Sequence, residues 1–273
     1  MADGHLSRRT NIGTVSITPV FDGTFTVKAG DLLRPTGDEA AGWARHEELL
    51  MGQAKMELPL GAFLVHSSGR TILVDAGVGG VENDAIKGGE LVANLGEVGL
   101  TCDDITDVLL THLHFDHIGW VTRRGEVTFP NATVRCHAAD WAWFGEGEQA
   151  DAHVQRKMSP VVDRLELFDS DCVIAPGVTV RHAPGHTPGS TIVVLSSGSE
   201  RALLLGDVAH CPLELTENDW EGVFDVDPVG ARATREHLAR ELESGADLVA
   251  GAHFDDLQFG RLMRVGDRRT WQL

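Results

Sequence analysis

The stretch THLHFDHIG, residues 111–119, places three imidazoles and one carboxylate within six consecutive positions. It follows an apolar run that is typical of a buried strand. Because side chains two residues apart in an extended segment point the same way, His112 and His114 can converge on one cation. Asp116 and His117 then begin a turn and can face a second cation beside the first. Imidazole and carboxylate together are ligands of Zn²⁺ or a similar borderline metal, so this stretch predicts a metal centre.

Three later positions repeat the pattern of an apolar strand followed at once by a metal-binding side chain. These side chains are His186, within Pro-Gly-His-Thr-Pro-Gly, then Asp207 and His253. An earlier apolar run leads in the same way to Asp75. Since sites in α/β proteins form beyond the carboxyl ends of strands, we expect these residues to meet at one edge of a sheet.

Strands alternate with helical patterns, which favours an α/β protein. The predicted strands are Thr14–Val20, Ala62–His66, Thr71–Val74, Val108–Thr111, Thr133–Cys136, Val178–Arg181, Thr191–Leu195, Ala202–Leu205 and Leu248–Ala250. The predicted helices are Asp38–Met51, His137–Phe144, Gln155–Leu167 and Pro228–Ser244. We find no repeat or linker, so residues 1–273 are interpreted as one domain, with residues 1–60 partly an N-terminal elaboration.

Composition excludes several classes of protein and of partner. The 273 residues are 42% hydrophobic and 23% charged, which is ordinary for a folded domain. A formal charge of −18 argues against nucleic acid and anionic lipid as partners. No apolar run approaches a membrane span, and the polar start, residues 1–13, does not resemble a signal peptide. The four cysteines form no CxxC pair, so we expect reduced thiols in a cytoplasmic protein.

The motif HxHxDH, followed by GHTPG, a strand-end Asp and a strand-end His, resembles the metallo-β-lactamase superfamily. The resemblance spans about residues 60–255 and implies a four-layer αββα sandwich with a metal site at one edge of its two sheets. It implies these ligands: His112, His114 and His186 for the first metal, Asp116, His117 and His253 for the second, and Asp207 bridging both. Asp75 matches the family's aspartate that hydrogen-bonds a ligand histidine.

Differences between this sequence and several branches of the superfamily narrow the choice of branch that it resembles. Class B β-lactamases carry Cys where Asp207 stands, and flavodiiron proteins carry Glu at the position of His114. Nucleic-acid-processing relatives need basic surfaces. Glyoxalase II has a C-terminal helical region, whereas only 20 residues follow His253 here. What remains resembles the N-acyl homoserine lactonases and the methyl-parathion-hydrolase-like phosphotriesterases.

His210 bears on the choice between these two branches. The lactonases place a Tyr three residues after the bridging Asp, where it can bond the substrate carbonyl. This chain has His210 at that position and contains no Tyr at all. A His at this position is more similar to the phosphotriesterase branch, and an ordinary packing role for His210 stays open.

The resemblance implies a dinuclear zinc hydrolase, with Mn, Fe or Co as other candidate metals. Its expected substrate is a lactone, such as an N-acyl homoserine lactone, or a related ester. The expected reaction is ring opening by attack of a metal-bridging hydroxide. Asp207, Asp116 and His210 are the expected catalytic residues, with Asp116 passing a proton to the leaving alkoxide. The alternative is a phosphotriesterase or arylesterase on the same centre. The full set of ligands for a second metal disfavours a mononuclear iron oxygenase resembling persulfide dioxygenases. A non-catalytic binding module is disfavoured because every expected ligand position is filled.

The substrate is expected to be a small apolar lactone or ester, because aromatic residues cluster near the metal motif. The residues expected to line the pocket are Phe115, Trp120, Trp141, Phe144, Met51 and Phe224. The composition also permits a homodimer.

Overall fold

The structure is a computed structural model and describes residues 9–273, so residues 1–8 of the expected N-terminal elaboration and of the polar start lie outside the described residues. The strands in this range are β1 Thr10–Ile12, β2 Val15–Lys28, β3 Leu33–Pro35, β4 Lys55–Ser67, β5 Arg70–Val74, β6 Ile86–Lys87, β7 Asp107–Leu109, β8 Thr122–Arg123, β9 Glu126–Val127, β10 Thr133–His137, β11 Leu165–Phe168, β12 Cys172–Ala175, β13 Val178–His182, β14 Thr191–Ser197, β15 Glu200–Leu204, β16 Trp220–Gly222, β17 Leu248–Ala250, β18 Arg261–Val265 and β19 Arg268–Gln272. The α-helices are α1 Ala29–Leu32, α2 Glu39–Trp43, α3 Leu91–Glu97, α4 Ala138–Asp140, α5 Ala152–Met158, α6 Leu213–Thr216 and α7 Pro228–Leu242.

Two sheets form the centre of the described part of the chain. The first has the strand order β1-β2-β4-β5-β7-β10-β11, with β6 paired to β2, and the second has the order β12-β13-β14-β15-β17. The pairs β5–β7, β7–β10, β10–β11 and β15–β17 are parallel. Parallel neighbours bring their carboxyl ends to one edge, so the loops after them can meet there.

Alternating side chains divide the core into three apolar layers. In β5, Ile72 faces the second sheet, while Leu73 points to the opposite face, since successive strand residues alternate. Representative pairs are Ile72 with Val180 between the sheets, Leu73 with Leu95 of α3 outside the first sheet, and Leu203 with Leu242 of α7 outside the second. The four-layer αββα sandwich predicted from the sequence is therefore confirmed.

The described part of residues 1–60 contributes directly to the first sheet. Strands β2 and β4 pair antiparallel from Ser16 opposite His66 to Lys28 opposite Lys55. Between them, residues 29–54 leave the sheet, and their short strand β3 pairs with β16. This excursion places apolar side chains beside the site described below.

The helix predicted over Asp38–Met51 is wrong beyond its first turns. Asp38 does cap the helix, accepting a hydrogen bond of 2.8 Å from the Ala41 N–H, but α2 ends at Trp43. Trp43 packs on Trp220 with ring centroids 4.7 Å apart, and the chain turns at His46 before a single 3₁₀ turn. Tertiary packing of the indole thus outweighs the local helical pattern.

The helix predicted over Gln155–Leu167 is also wrong in its bounds. Helix α5 begins earlier, where the Asp151 carboxylate accepts from the His153 and Val154 N–H groups, and it ends at Met158. Pro160 lies in the 3₁₀ turn that follows, because proline lacks the N–H that would continue an α-helix. Residues 165–168 then form β11 instead of a last helical turn.

The two other predicted helices exist with shifted ends. Helix α7 begins at Pro228 as predicted, with Asp227 accepting a hydrogen bond of 3.0 Å from Gly230 N–H, and ends at Leu242. Helix α4 is brief and continues as a π-helical turn, Trp141–Glu146. Within residues 9–273, no helix is long and apolar enough to cross a membrane.

Candidate metal centre

The predicted ligands all lie just past the ends of strands. The cluster within residues 112–117 follows β7, His186 follows β13, Asp207 follows β15 and His253 follows β17. All of these side chains are buried except that of His114, which is half-buried. The strand-end pattern in the sequence therefore corresponds to one compact group of side chains at one edge of the two sheets.

Three imidazoles of the first group point their ring nitrogens at one another. His114 Nδ1 lies 3.1 Å from His112 Nε2 and 3.0 Å from His186 Nε2. With Asp207 they form a group whose donor atoms all lie within 4.8 Å of one another. This is the arrangement that a first metal ion needs, because nitrogen ligands sit about 2.0–2.1 Å from Zn²⁺.

The second group consists of Asp116, His117 and His253. Asp116 Oδ2 lies 3.5 Å from His253 Nε2 and 3.9 Å from His117 Nε2. Two imidazoles and one carboxylate thus face a second point beside the first.

Asp207 lies between the two groups and turns one oxygen toward each. Its Oδ1 is 3.2 Å from His117 Nε2 and 3.2 Å from His253 Nε2. Its Oδ2 is 3.7 Å from His112 Nε2 and 3.6 Å from His186 Nε2. A carboxylate in this position can bind two cations at once.

Hydrogen bonds at the far side of the rings orient the imidazoles. His117 Nδ1 lies 2.9 Å from Asp75 Oδ2, His186 Nδ1 lies 3.0 Å from Asp225 Oδ1, and His253 Nδ1 donates to the Pro59 carbonyl oxygen at 3.0 Å. An acceptor at Nδ1 holds the proton there and leaves Nε2 as a lone pair facing the centre.

Asp75 combines this orienting contact with an unusual backbone. Its φ of +63° lies in the left-handed region, which is uncommon for a residue other than glycine. Its Oδ1 also accepts from the Thr111 N–H at 2.8 Å, and the Thr111 hydroxyl bonds the same carboxylate. Asp75 therefore joins the end of β5 to the first residue of the ligand stretch.

The residues present fit a pair of metal ions. His117 Nε2 and Asp207 Oδ1 are fully buried and have no hydrogen-bond partner. A buried polar atom without a partner is costly, and a cation between these atoms would satisfy both. The donor set of five imidazoles and two carboxylates suits zinc and related ions.

The electrostatics favour the cation-binding forms of His112, His114 and Asp207. At His117 and His253, burial opposes protonation, but Asp207 and neighbouring carboxylates outweigh it and raise the pKa values, so a metal ion would displace a proton there. Burial, together with the neighbouring imidazole of His186, lowers the pKa of His114 to about 3. Burial and His117 likewise lower the pKa of His112 well below its ordinary value. Burial opposes the charge of Asp207, but His253 and His117 outweigh it and hold the carboxyl pKa well below its usual range. His112 and His114 therefore keep free lone pairs at neutral pH, and Asp207 stays ionised.

His210 is buried beside the centre and faces the same cavity. Its Nε2 is 3.7 Å from Asp207 Oδ2, while Nδ1 lies 3.3 Å from Glu214 Oε2. Burial opposes its protonation, but Glu214 outweighs burial and raises the pKa of His210 to about 9. The position predicted from the sequence thus holds an imidazole at the cavity, supported from behind by a carboxylate.

A cavity of about 220 Å³ opens above the centre, with His and Asp side chains as its floor. Its apolar wall comes from Phe25, Leu32, Leu58, Phe115 and Phe224. The sequence predicted only the last two. The first three come from β2, α1 and β4, at the start of the chain, and no local pattern connects them with the metal motif.

Four residues expected in the pocket wall do not line it. Trp120 is buried in the core and donates its indole N–H to the buried carboxylate of Asp22. Met51 is 51% exposed in the turn before β4. Trp141 and Phe144 pack against the core outside the first sheet, and Phe144 reaches only the ring of His114, at 5.5 Å between centroids.

Several supporting residues were not predicted, because none lies in a recognisable motif. Asp140 is fully buried and accepts from Leu113 N–H at 3.0 Å and from Gly189 N–H at 2.6 Å. It thereby ties the first ligand stretch to the loop that carries His186. Asp225 and Glu214 stand behind His186 and His210 in the same way.

The chain is similar in sequence to metallo-beta-lactamase superfamily proteins. A family profile described as the metallo-beta-lactamase superfamily matches residues 62–253, more than half of the chain. An N-acyl homoserine lactonase from a Bacillus species is 25% identical over 181 residues, which cover 60% of this chain and 69% of that protein. An N-acyl homoserine lactonase of Bacillus thuringiensis is 24% identical over 170 residues, and the match spans 63% of its length and 55% of this chain.

Among solved structures, the dizinc quorum-quenching lactonase AidC, in complex with a product, superposes with a TM-score of 0.86 at 22% identity. The match covers 97% of this chain and 96% of that chain. At this identity the likeness establishes a shared fold.

Proposed function

The chain belongs to the metallo-β-lactamase superfamily, and on that premise we propose that it is a metal-dependent hydrolase that opens lactones or related esters. The observation that carries the proposal is the place of Asp207 between two groups of ligands at the floor of an apolar cavity. This puts two cation sites within reach of one substrate.

Seven residues would hold the two ions. The first would be bound by His112, His114 and His186, the second by Asp116, His117 and His253, and both by Asp207. Zinc is our first candidate because imidazole nitrogens dominate the set, with Mn, Fe or Co as alternatives. Such ions supply Lewis acidity and make water a nucleophile near neutral pH.

Side chains that face the cavity would bind the substrate and transfer protons. His210 Nε2 is placed to hydrogen-bond the carbonyl oxygen of the substrate. Asp116 also lines the cavity, where its carboxylate can carry a proton to the oxygen of the leaving alkoxide. The apolar wall formed by Phe25, Leu58 and Phe224 excludes water from the acyl part of the substrate.

The names of the relatives support a lactone as the substrate. The two Bacillus proteins are N-acyl homoserine lactonases, and AidC is a quorum-quenching lactonase. The small apolar cavity over a polar floor is compatible with an acyl lactone.

His210 favours a second candidate, a phosphotriesterase or arylesterase on the same centre. The lactonases that the chain resembles use a Tyr at this position, and this chain contains no Tyr. An imidazole can also hydrogen-bond a phosphoryl oxygen. The complete second ligand group disfavours a mononuclear oxygenase.

The test compares substrates on one preparation. Zinc-loaded protein is given a long-chain N-acyl homoserine lactone, with ring opening read as proton release, and paraoxon and an aryl ester in parallel. The control is the same protein stripped of metal with a chelator and then reloaded.

The proposal expects lactone opening that is lost with the metal and restored by reloading. Turnover of paraoxon or of the aryl ester without any lactone opening would move the protein to the second candidate. Absence of turnover on all three substrates, in protein that holds metal, would contradict the proposed hydrolase.

A further inference from the structure

Arg235 of α7 is a buried cation that hydrogen-bonds one buried carboxylate and forms an ion pair with a second. Its guanidinium donates to Asp225 Oδ2 at 3.1 Å and to the Trp220 carbonyl oxygen at 3.3 Å. Nη1, the atom that donates to Asp225, also lies 3.6 Å from Glu214 Oε1. The Arg235 side chain is 3% exposed, and neither carboxylate is exposed at all. Since isolated buried charges are very unfavourable, each carboxylate depends on this guanidinium.

Asp225 uses its second oxygen to orient a metal-binding imidazole. Oδ2 faces Arg235 and also accepts from Gly222 N–H at 3.2 Å, whereas Oδ1 lies 3.0 Å from His186 Nδ1. His186 therefore presents Nε2 to His114 and Asp207. A rotation of the Asp225 carboxylate would turn this ring away from the first cation site.

Glu214 orients the imidazole of the cavity in the same manner. Its Oε2 accepts from His210 N–H at 2.5 Å and from Cys211 N–H at 3.3 Å, and it also lies 3.3 Å from His210 Nδ1. Backbone and ring of His210 are thus held by one oxygen. The other oxygen, Oε1, has no hydrogen-bond partner and faces only the Arg235 guanidinium.

The two oriented imidazoles contact each other. The rings of His186 and His210 have centroids 5.1 Å apart and lie nearly perpendicular. A shift of one ring therefore affects the space available to the other.

From this geometry we propose that Arg235 is a positioning residue that couples the first cation site to the substrate-facing imidazole, by fixing Asp225 behind His186 and Glu214 behind His210 at the same time. The role assigned to His210 rests on the proposed hydrolase function, whereas the role assigned to His186 rests only on metal binding. A guanidinium suits this task because Nη1 faces both carboxylates while Nη2 bonds the Trp220 carbonyl oxygen and fixes the plane of the group, which a lysine ammonium cannot reproduce.

The test uses three conservative variants and a matched control. Arg235→Lys keeps the charge and removes the planar guanidinium with its bond to the Trp220 carbonyl oxygen. Asp225→Asn removes the carboxylate behind His186, and Glu214→Gln removes the one behind His210. The control is Arg232→Met, on the same helix, whose salt bridge to Glu221 is solvent-exposed. Circular dichroism first establishes that each variant is folded.

Zinc affinity, measured by competition with a chromophoric chelator, is the first readout. We expect Asp225→Asn and Arg235→Lys to lower it about 10- to 100-fold, in the range typical of residues that orient ligands. Glu214→Gln should leave zinc affinity within about threefold and lower kcat on the substrate that the wild type turns over. Arg235→Lys should show both effects, and Arg232→Met neither.

The second readout is the ¹⁵N resonances of the His186 and His210 rings in histidine-labelled, zinc-loaded protein. Glu214→Gln should shift the signals of both rings, and it should still shift those of His186 in a His210→Ala background, where the contact between the two rings is gone and only the path through Arg235 remains. This arm decides the proposal even if Arg235→Lys does not fold.

Two results would overturn the proposal. One is an Arg235→Lys protein that matches Arg232→Met in zinc affinity, turnover and ring signals, with only a lower melting temperature. The other is a His210→Ala background in which Glu214→Gln leaves the His186 signals unchanged. If the wild type hydrolyses no lactone, ester or phosphotriester, the proposed function fails, while zinc affinity and ring signals still decide the coupling.

Discussion

The indole of Trp120 donates a hydrogen bond of 2.7 Å to Oδ1 of Asp22, a residue 98 positions earlier in the chain. The same buried carboxylate accepts from four backbone N–H groups, those of Val78, Gly79, Gly89 and Leu91. Asp22 thus joins β2 to the loop after β5 and to the end of the ligand stretch. It explains why Trp120 points into the core and away from the cavity.

We predict that Asp22→Asn strongly destabilises the protein. The amide cannot accept from all five donors, and its own N–H groups would face them, so donors in the core lose their partner. The expected loss in the free energy of unfolding is roughly 3 kcal/mol, measured by urea denaturation.

The matched control is Asp84→Asn, since Asp84 is exposed. It should change the free energy of unfolding by less than about 0.5 kcal/mol. A loss below about 1 kcal/mol for Asp22→Asn would mean that Asp22 does not have the structural role assigned to it.

The clustering of the proposed metal-binding residues could be predicted from sequence because the place of each one depends on local order. An apolar strand that ends three or four residues before a His, as before His253 and His186, places the side chain near a sheet edge whatever the rest of the chain does. The start of α7 was predictable for the same reason, from the cap at Asp227 and the adjacent Pro228.

The features that could not be predicted from the sequence depend on contacts between residues far apart in the chain. Trp120 follows the ligand motif directly, yet its direction is set by Asp22. Asp225 lies 39 residues from His186, and no spacing rule connects them. The apolar wall at Phe25 and Leu58 exists only because β2 and β4 pair along their length beside the site.

We predict that Phe224→Ala weakens binding of substrates with long acyl chains. Phe224 lines the cavity and is 49% exposed, so it can be covered by an apolar chain. If the proposed function holds, KM for a long-chain lactone should rise about fivefold, as the loss of roughly 1 kcal/mol of apolar contact implies, while kcat stays within twofold.

Steady-state kinetics on a long-chain and a short-chain lactone check this prediction. KM for the short-chain substrate should hardly change. Val229→Ala is the control, because Val229 is exposed on α7 and does not line the cavity. An equal rise of KM for both chain lengths would remove Phe224 from the acyl site.

The ion pair of Glu236 with Arg269 should make stability depend on acid pH. Hydrogen bonds from Arg269 at 2.6 and 3.0 Å, with a further one from Arg240, lower the pKa of Glu236 from 4.5 to about 2. A depressed carboxyl pKa in the folded state stabilises the protein above pH 4.5, and this contribution is lost as pH falls toward 2.

Glu236→Gln should therefore melt at a lower temperature than the wild type at pH 7, and the difference should shrink as pH falls below about 4.5. Thermal denaturation at a series of pH values from 7 to the acid limit of the folded state measures it. Glu200→Gln, at an exposed position, is the control and should show no such trend. A difference that is constant with pH would contradict the assigned ion pair.

We predict that Asp207 would be shared by two metal ions, and the metal content of purified protein measures this. Wild type and Asp207→Ala are loaded with zinc, dialysed and analysed by inductively coupled plasma mass spectrometry. We predict two zinc ions per chain in the wild type and at most one in the variant, since each oxygen of Asp207 faces a different group of ligands. A wild type that holds one ion, or an Asp207→Ala protein that retains two, would contradict the account.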